Sequence, residues 1–394
     1  MMVDRNKMGK LGVVLVIILM LAGLTGSTAL AQKGGKLEKI LYMLPRGKAM
    51  LDDGYFIAPQ VMGYFAEEGL DPKMEGTVGA TDCTKLVASK MAETGAPSPY
   101  VHIVSVLAGM PVKMCFQMDQ INIFGFSVRP DSGIKSIAEL EGKKIALGSG
   151  GWSVISDPIL MNAGVDPKSV ENIVAGEQRA QITWRGQADA VLTWEKEYQT
   201  WAGQGLTFDF LAGRDIVQYP GNGFVFHVDV IEKRPEVVIG FSRGVAKGLI
   251  FSRENPEAVA EMILEANPAL IEVGFEQGVV IVKAMNFITR SEYSDAYGLG
   301  VHIPGAWEKL QDDMYETGTI DKKTPVYDYF TNEFIREINN FDEQKVVQDA
   351  IHYQFHDPGH IPLRYKEKYP QLYEELYQKA VEYKKTHPES IWNE

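Results

Sequence analysis

A glycine-rich loop is the part of the sequence best suited to hold a ligand. It reads Gly148-Ser149-Gly150-Gly151-Trp152-Ser153, between a predicted strand over 144–147 and a predicted helix over 152–163. Glycines let backbone N–H groups approach a ligand closely, and a helix N-terminus favours a negative or acceptor group. The loop lacks the third glycine of a dinucleotide fingerprint and the lysine of a P-loop. It therefore predicts a cradle for a polar or anionic group, with an ordinary glycine turn as the alternative.

Aromatic and polar residues near other predicted strand ends extend this candidate site. Trp194 and Glu195 follow a strand predicted over 188–192, where they offer a flat apolar wall and a hydrogen-bond acceptor, unless they pack in the interior. Thr81 and Asp82 precede a helix predicted over 83–93 and are expected to cap it and to meet a ligand, or to act as caps alone. Weaker candidates of the same kind are Ser98, Tyr100, Tyr219 and Asn222.

The residues that catalysis would need are poorly placed. The segment Gly151-Trp152-Ser153-Val154-Ile155 lacks the second glycine of a nucleophile elbow, which disfavours a serine hydrolase. His352 and His356 have the spacing of metal ligands on one helix face, but Pro358-Gly359 precedes His360 and no glutamate stands at position 353. We therefore expect packing or capping histidines, with metal binding as the less favoured alternative. No catalytic residue, metal or cofactor is predicted.

The chain has two cysteines, Cys83 and Cys115. Two are too few for a disulfide framework in a chain of this length. A single bridge between them in an oxidising compartment stays open, because sequence spacing does not decide it. Cys83 stands near a predicted helix start without a histidine close in sequence, so a structural role is expected rather than a reactive thiol.

The order of elements indicates how these residues would be positioned. From residue 39 onward, short apolar runs alternate with longer amphipathic stretches, which is typical of βαβ units on parallel-rich sheets. A strand is predicted over 39–44, a helix over 55–69 and a second strand over 72–78. Extended crossings over 121–129 and 223–228 interrupt the series, as in a two-lobed α/β protein with a hinge. Such sheets place ligand sites at the carboxyl ends of their strands.

The predicted domains follow from these crossings. Residues 36–126 and 226–345 form a discontinuous lobe 1, residues 127–225 form an inserted lobe 2, and residues 346–394 form a helical C-terminal extension. In the extension, apolar residues between Tyr369 and Ala380 recur at spacings of three and four. This stripe predicts a helix face that packs against the body of the protein.

Residues 1–31 have the composition of an export signal. Arg5, Lys7 and Lys10 precede an apolar run over 11–24, and Ala29-Leu30-Ala31 offers a small-residue cleavage site. The apolar run is shorter than the roughly 20 residues of a membrane-spanning helix. We therefore expect cleavage after Ala31 and a free periplasmic protein, with an uncleaved membrane anchor as the alternative.

Charge narrows the range of partners. The formal net charge of the chain is −13, and its lysines and arginines form no cluster. Nucleic-acid binding needs such a cluster to contact phosphates. A nucleic-acid partner is therefore excluded.

Three segments carry a resemblance to a known family: Gly63-Tyr64-Phe65-Ala66-Glu67-Glu68-Gly69-Leu70-Asp71, Ser136-Ile137-Ala138-Glu139-Leu140-Glu141-Gly142-Lys143-Lys144-Ile145-Ala146 and Gly186-Gln187-Ala188-Asp189-Ala190-Val191. Together they resemble ABC-transporter substrate-binding proteins of the nitrate, sulfonate and taurine group, in particular the NMT1/THI5-like branch. The resemblance covers roughly residues 39–290, and Thr331-Asn332-Glu333-Phe334 is similar to the family's late helical part.

The resemblance implies a type II periplasmic-binding-protein fold, with two α/β lobes joined by two hinge crossings and the ligand in the cleft between them. It also implies a monomer that delivers a sulfonate, aromatic acid or pyrimidine-like molecule to the membrane permease of an ABC importer, without catalysis. Glu195 stands where family members often carry proline. With the resemblance included, the candidate ligand-binding residues are Arg46, Tyr55, Thr81, Asp82, Ser98, Tyr100, Ser149, Gly150, Gly151, Trp152, Ser153, Trp194, Glu195, Tyr219 and Asn222.

Two other functions stay open on the same scaffold. One is a pyrimidine-precursor synthase-like enzyme; the resemblance implies a cysteine-rich segment for that activity, and this chain has only the separated Cys83 and Cys115. The other is a sensor module that presents its ligand to a membrane receptor, which the sequence does not distinguish from a transport protein.

Overall fold

The computed structural model describes residues 36–393, apart from residues 48 and 52. The predicted signal peptide, residues 1–31, lies outside the described residues. The strands are β1 (Glu38–Leu44), β2 (Leu70–Gly76), β3 (Thr94–Gly95), β4 (Val112–Gln117), β5 (Phe124–Val128), β6 (Lys144–Leu147), β7 (Glu171–Val174), β8 (Ala190–Trp194), β9 (Asp209–Ala212) and β10 (Gly223–His227). Along the described chain, no helix combines the length and apolar character needed to cross a bilayer.

The helices occupy the connections between strands and most of the last third of the chain. They are α1 (Gly54–Val61), α2 (Tyr64–Glu67), α3 (Ala80–Ala88), α4 (Pro99–Leu107), α5 (Ser153–Asn162), α6 (Arg179–Trp184), α7 (Glu195–Gly203), α8 (Val228–Lys233), α9 (Pro235–Glu254), α10 (Pro256–Ala266), α11 (Phe275–Ile288), α12 (Glu292–Tyr297), α13 (Pro304–Glu316), α14 (Ile335–Ile338), α15 (Glu343–Ile351), α16 (Leu363–Lys368) and α17 (Pro370–Thr386).

The strands form two five-stranded mixed sheets. The first has the order β2-β1-β3-β10-β4 and the second the order β7-β6-β8-β5-β9. Strand β1 is parallel to β3, and β6 is parallel to both β7 and β8. Strands β5 and β10 each run antiparallel to both of their neighbours. The chain therefore crosses between the sheets twice, once after β4 and once after β9.

The crossings differ in detail from the boundaries predicted at residues 126/127 and 225/226. Phe124–Val128 already belongs to the second sheet, and Gly223–His227 already belongs to the first. An apolar run predicts that a segment is extended but does not show which sheet it joins. The segments between the sheets are 118–123 and 213–222.

Two local predictions were wrong. The helix predicted over 55–69 is two helices, because Gly63 adopts a left-handed φ of 75° and separates α1 from α2. Helix α3 begins at Ala80 with Gly79 as its N-cap and no side-chain cap. Thr81 and Asp82 therefore lie inside the first turn and do not cap the helix.

Helix α9 packs against α1 and α2 through small residues. A Cβ on Gly244 would come within 2.4 Å of the Phe65 ring, and one on Gly248 within 2.5 Å of Pro59. The close approach lets Phe65 stack on Phe241 at 5.4 Å between ring centroids. This core includes Tyr42 and Phe224 of the first sheet and Leu51 of the segment after β1.

The C-terminal extension packs against the same core. Leu376 and Ala380 of α17 are buried, and Leu372 and Tyr373 pack on the core beside them. The stripe predicted between Tyr369 and Ala380 thus faces the body of the protein, except for Tyr377, which is exposed. Cys83 and Cys115 are both buried free thiols.

Candidate ligand-binding cleft

A cleft of about 760 Å³ lies between the two sheets. The first sheet contributes the loop after β1, the start of α3 and the start of α4, and the second contributes the loop after β6, the start of α6 and the start of α7. Most of these segments follow the carboxyl end of a strand, which is where open α/β sheets place their ligands. Both sheets therefore supply walls to one cleft.

Many of the sequence-predicted residues line this cleft. They are Arg46, Tyr55, Thr81, Asp82, Ser98, Ser149, Gly151, Trp152, Trp194 and Asn222. The other five, Tyr100, Gly150, Ser153, Glu195 and Tyr219, are not among its lining residues. The loop after β6 is thus part of the cleft through Gly148, Ser149, Gly151 and Trp152.

The residues outside the cleft have other partners. The Tyr219 hydroxyl donates to Asp313 Oδ2 at 2.5 Å, and Tyr219 meets the buried Tyr100 edge-on at 5.8 Å between ring centroids. Glu195 forms an ion pair with Arg214. A strand end predicts the neighbourhood of a residue, but packing in the first turn after the strand decides which way its side chain points.

The Ser153 hydroxyl makes its hydrogen bond within its own loop. Its Oγ donates to the Gly150 carbonyl at 3.2 Å, and the Trp152 amide donates to the Ser149 carbonyl at 3.1 Å. These bonds close a short turn over Gly150–Trp152 before α5 begins. Two hydrogen-bond donors of the predicted cradle, the Ser153 hydroxyl and the Trp152 amide, are therefore already used within the loop.

Trp152 and Trp194 form an aromatic wall. Their rings meet edge-to-face at 6.2 Å, and Trp194 meets Phe124 in the same way at 6.5 Å. Trp152 lies against Gly148, where a Cβ would come within 2.6 Å of the indole. Glycine at position 148 is therefore needed for the observed position of Trp152.

Arg179, which the sequence reasoning missed, lies against this wall. Its guanidinium is 4.8 Å from the centre of the Trp152 ring and 5.7 Å from that of Trp194. It pairs with Glu197, and the two side chains are only 3% and 5% exposed. Burial raises the pKa of Glu197, while Arg179 and a 2.8 Å hydrogen bond from Thr193 oppose this effect. Residues 177–179 closely follow the carboxyl end of β7, and this position at a strand end was the available signal.

Lys196, also missed, forms the second buried charge pair. Its Nζ lies 3.7 Å from Asp119 Oδ1, and the side chains are 4% and 0% exposed. The ammonium is 5.7 Å from the centre of the Tyr55 ring. Lys196 is adjacent to the predicted Glu195, but the helix turn directs it toward the cleft and directs Glu195 toward Arg214.

Arg46 forms the third pair. Its Nη2 donates to Asp53 Oδ1 at 2.5 Å, and Asp53 is fully buried. The Met50 amide at 2.7 Å and the Tyr55 hydroxyl at 3.2 Å also donate to this carboxylate. In the described part of the cleft, the lining cations are Arg46, Arg179 and Lys196. Each is therefore matched by a buried carboxylate.

The two cysteines of the chain lie outside the cleft lining. Among the described residues, the lining of the cleft includes no cysteine and no histidine. Cys83 donates to the Met43 carbonyl at 3.3 Å, and burial raises the pKa of its thiol to about 12. Burial likewise raises the pKa of Cys115. Neither thiol is placed or ionised for attack on a ligand in the cleft.

The histidine spacing singled out in the sequence does not form a helix face. Helix α15 ends at Ile351, so His352 is its C-cap and His356 lies beyond it. His356 and His360 instead lie against Glu265 and Glu261 of α10, each with a 2.6 Å contact from Nδ1 to a carboxylate oxygen.

Comparisons with known proteins agree with this architecture. The profile of the family described as NMT1/THI5 like matches residues 53–259. A 4-amino-5-hydroxymethyl-2-methylpyrimidine phosphate synthase from Legionella pneumophila is 23% identical over 71% of this chain and 87% of its own length. The riboflavin-binding protein RibY from Chloroflexus aurantiacus is 24% identical over 71% of this chain and 81% of its own.

Solved structures share the fold. The periplasmic aliphatic sulphonate binding protein SsuA from Escherichia coli superposes with a TM-score of 0.55 at 14% identity, covering 75% of this chain and 92% of its own. A Bordetella bronchiseptica protein superposes with a TM-score of 0.60 at 15% identity, covering 77% and 98%. The two-lobed type II periplasmic-binding-protein fold is thus confirmed, and since the family profile spans more than half of the sequence, the chain belongs to the NMT1/THI5-like family.

Proposed function

We propose that this protein captures a small organic molecule between its two lobes and delivers it to the membrane permease of an ABC importer. The observation that carries the proposal is a cleft with walls from both sheets. A ligand that touches both walls favours the closed arrangement by its differential affinity for that state. The permease would then recognise the closed form, and no covalent step is required.

The cleft favours a flat ring without a strong negative charge. Trp152, Trp194 and Tyr55 provide aromatic surface, whereas the basic groups of the cleft are already paired with buried carboxylates. An anion would have to compete with those carboxylates, and breaking a buried ion pair costs about 3–5 kcal/mol. We therefore place a pyrimidine-like ring ahead of an aromatic acid, and both ahead of a sulfonate.

Two relatives support a heterocyclic ligand. Their names refer to a methylpyrimidine phosphate and to riboflavin, which both contain nitrogen heterocycles. This support concerns the ring and does not extend to the phosphate group. The sulphonate named for SsuA has less weight, since its 14% identity shows the fold alone.

A synthase is the second candidate, because relatives from Legionella and yeast carry synthase names. The absence of cysteine and histidine from the described cleft lining argues for binding without turnover. Recovery of the bound molecule unchanged after prolonged incubation supports a carrier, whereas a product of new mass supports the enzyme. A sensor role would show as a complex with a membrane receptor in place of a permease.

The first experiment is a thermal-shift screen of pyrimidines, aromatic acids, sulfonates and nitrate, because a ligand of the native state raises the melting temperature with its concentration. Hits are then tested by small-angle scattering for lobe closure. We expect a pyrimidine-like hit and a smaller radius of gyration with the ligand. A confirmed ligand that leaves the scattering unchanged contradicts the proposal.

The cellular part of the proposal is tested separately. We propose export, cleavage after Ala31 and a monomer in the periplasm. Mass spectrometry of the exported protein is expected to show a chain that begins at Gln32, and light scattering is expected to give the mass of one chain. An intact N-terminus in the membrane fraction supports the anchored alternative.

A further inference from the structure

A cluster of carboxylates and imidazoles lies outside the ligand cleft, where the C-terminal extension meets α10. Glu261 and Glu265 are one helical turn apart on α10, and His356 reaches them from the segment that follows α15. One ligand atom from each of these three residues lies within 4.8 Å of the others. The fold thus brings His356 next to two glutamates that precede it by about 90 positions in the sequence.

The two carboxylates of this cluster have histidines as their ion-pair partners. Glu261 is fully buried and the Glu265 side chain is 28% exposed. In the described part of the chain, the ion-pair partners of these two glutamates are His360 and His356, with no lysine or arginine. One oxygen of each carboxylate and one His356 nitrogen therefore lie close enough together to contact a single ion. A divalent cation would compensate the charges of both carboxylates.

The surrounding groups hold the ligand atoms in fixed orientations. The His356 amide donates to Glu261 Oε1 at 2.9 Å, and His360 Nδ1 lies 2.6 Å from Glu261 Oε2. Trp392 Nε1 donates to Glu265 Oε1 at 2.7 Å. The His356 ring stacks on Tyr383 at 3.8 Å with an interplanar angle of 3°. Such hydrogen bonds to ligating carboxylates are typical of the outer shell of metal sites.

The site has a route from solvent. The side chains of His356 and Glu265 are 25% and 28% exposed, while Glu261 is at the closed end. An ion would enter between His356 Nδ1 and Glu265 Oε1, which lie 2.6 Å apart, and would take the place of this direct contact. The backbone hydrogen bonds to Glu261 would be retained.

We propose that Glu261, Glu265 and His356 bind a divalent transition-metal ion of the zinc type, with water completing the coordination. One imidazole and two carboxylates are ligands that zinc accepts, whereas magnesium and calcium prefer oxygen ligands alone. The ion joins α10 to the segment after α15. Metal binding would therefore stabilise the packing of the C-terminal extension on the first lobe.

The test uses tag-free full-length protein treated with chelator and dialysed. Addition of Zn²⁺ is expected to raise the melting temperature by several degrees and to bind one ion per chain by calorimetry, whereas Mg²⁺ is expected to do neither. Glu265→Gln and His356→Gln are expected to weaken Zn²⁺ binding by at least tenfold. His352→Gln is the matched control, because His352 is nearby but outside the cluster, and is expected to bind as the wild type does.

Several results would overturn the proposal. A melting temperature and calorimetric signal that do not respond to Zn²⁺ mean that the imidazole–carboxylate contacts serve packing alone. Binding that survives in both Glu265→Gln and His356→Gln places the ion elsewhere. Because His356→Gln could impair packing, Glu265→Gln at the more exposed position and the Co²⁺ absorption spectrum of the wild type provide independent measurements.

Discussion

The Arg179 guanidinium lies 4.8 Å from the centre of the Trp152 ring, so a buried charge packs against the aromatic wall of the cleft. Cation–π attraction of this kind is worth about 0.5–2 kcal/mol, more when the cation is desolvated. Arg179 is held in turn by Glu197 and by its 3.0 Å hydrogen bond to the Gly176 carbonyl. The wall is therefore fixed before a ligand arrives, which reduces the entropy lost on binding.

The position of Trp152 depends on Gly148. We predict that Gly148→Ala weakens ligand binding about tenfold, because the added methyl group would come within 2.6 Å of the indole and displace it. The fold should survive, since the φ of Gly148 is not in the left-handed region. Calorimetric titration with the ligand found by screening measures the effect.

Gly150→Ala is the matched control, because a Cβ there would meet only Val174 Cγ2 at 3.9 Å. Its affinity should stay within about twofold of the wild type. Equal affinities for the two alanine variants would show that the Trp152 indole does not contact the ligand.

Trp194 offers a direct test of the aromatic wall. Trp194→Ala is expected to weaken binding by roughly fivefold or more, as loss of aromatic contact costs about 1 kcal/mol beyond the buried area. Trp184→Ala removes an indole that is 38% exposed and outside the cleft lining, and should leave the affinity unchanged. Unaltered binding by Trp194→Ala would remove this residue from the site.

The comparison of Glu195 with Lys196 shows how far the sequence could predict this site. The strand predicted over 188–192 ends two residues later, at Trp194, and this was close enough to find Trp194 in the cleft. The neighbouring residues diverge within one turn of α7. The Glu195 side chain pairs with Arg214 and the Lys196 side chain pairs with Asp119. Both directions are set by partners that are distant in sequence. Alternation of apolar runs therefore predicted the lobes and the loops, whereas the charge pairs required the tertiary structure.

Glu197 lines the cleft, and we expect its buried pair with Arg179 to contribute strongly to the free energy of unfolding. Glu197→Gln leaves Arg179 buried without its carboxylate, which should lower the free energy of unfolding by about 3–5 kcal/mol. The double variant Arg179→Met with Glu197→Met should recover much of this loss, because no charge remains buried. Urea denaturation measures both.

The exposed pair of Lys379 and Glu375 on α17 is the control for that experiment. Glu375→Gln is expected to change the free energy of unfolding by less than about 1 kcal/mol. Similar losses for Glu375→Gln and Glu197→Gln would mean that the Arg179 pair is effectively solvated.

Two buried histidines predict that the folded protein loses stability as the pH falls. His102 and His302 are fully buried, and burial lowers the pKa of His102 to about 4 and the pKa of His302 well below its ordinary value. The unfolded chain, with histidine pKa values near ~6.5, binds these protons more readily than the folded chain. The contribution of both residues to stability is therefore present above about pH 6.5 and is lost as the pH falls toward 4.

His302→Phe tests this prediction. Among the described residues, neither ring nitrogen of His302 has a hydrogen-bond partner, and the ring stacks on Phe330 at 4.8 Å, so phenylalanine should fit and raise the free energy of unfolding. The stability lost between pH 7 and pH 5 should be smaller in this variant than in the wild type, measured by urea denaturation at each pH. Substitution of the exposed His352 by Gln should leave the wild-type slope. Parallel pH curves for His302→Phe and the wild type would show that protonation of His302 does not contribute to acid unfolding.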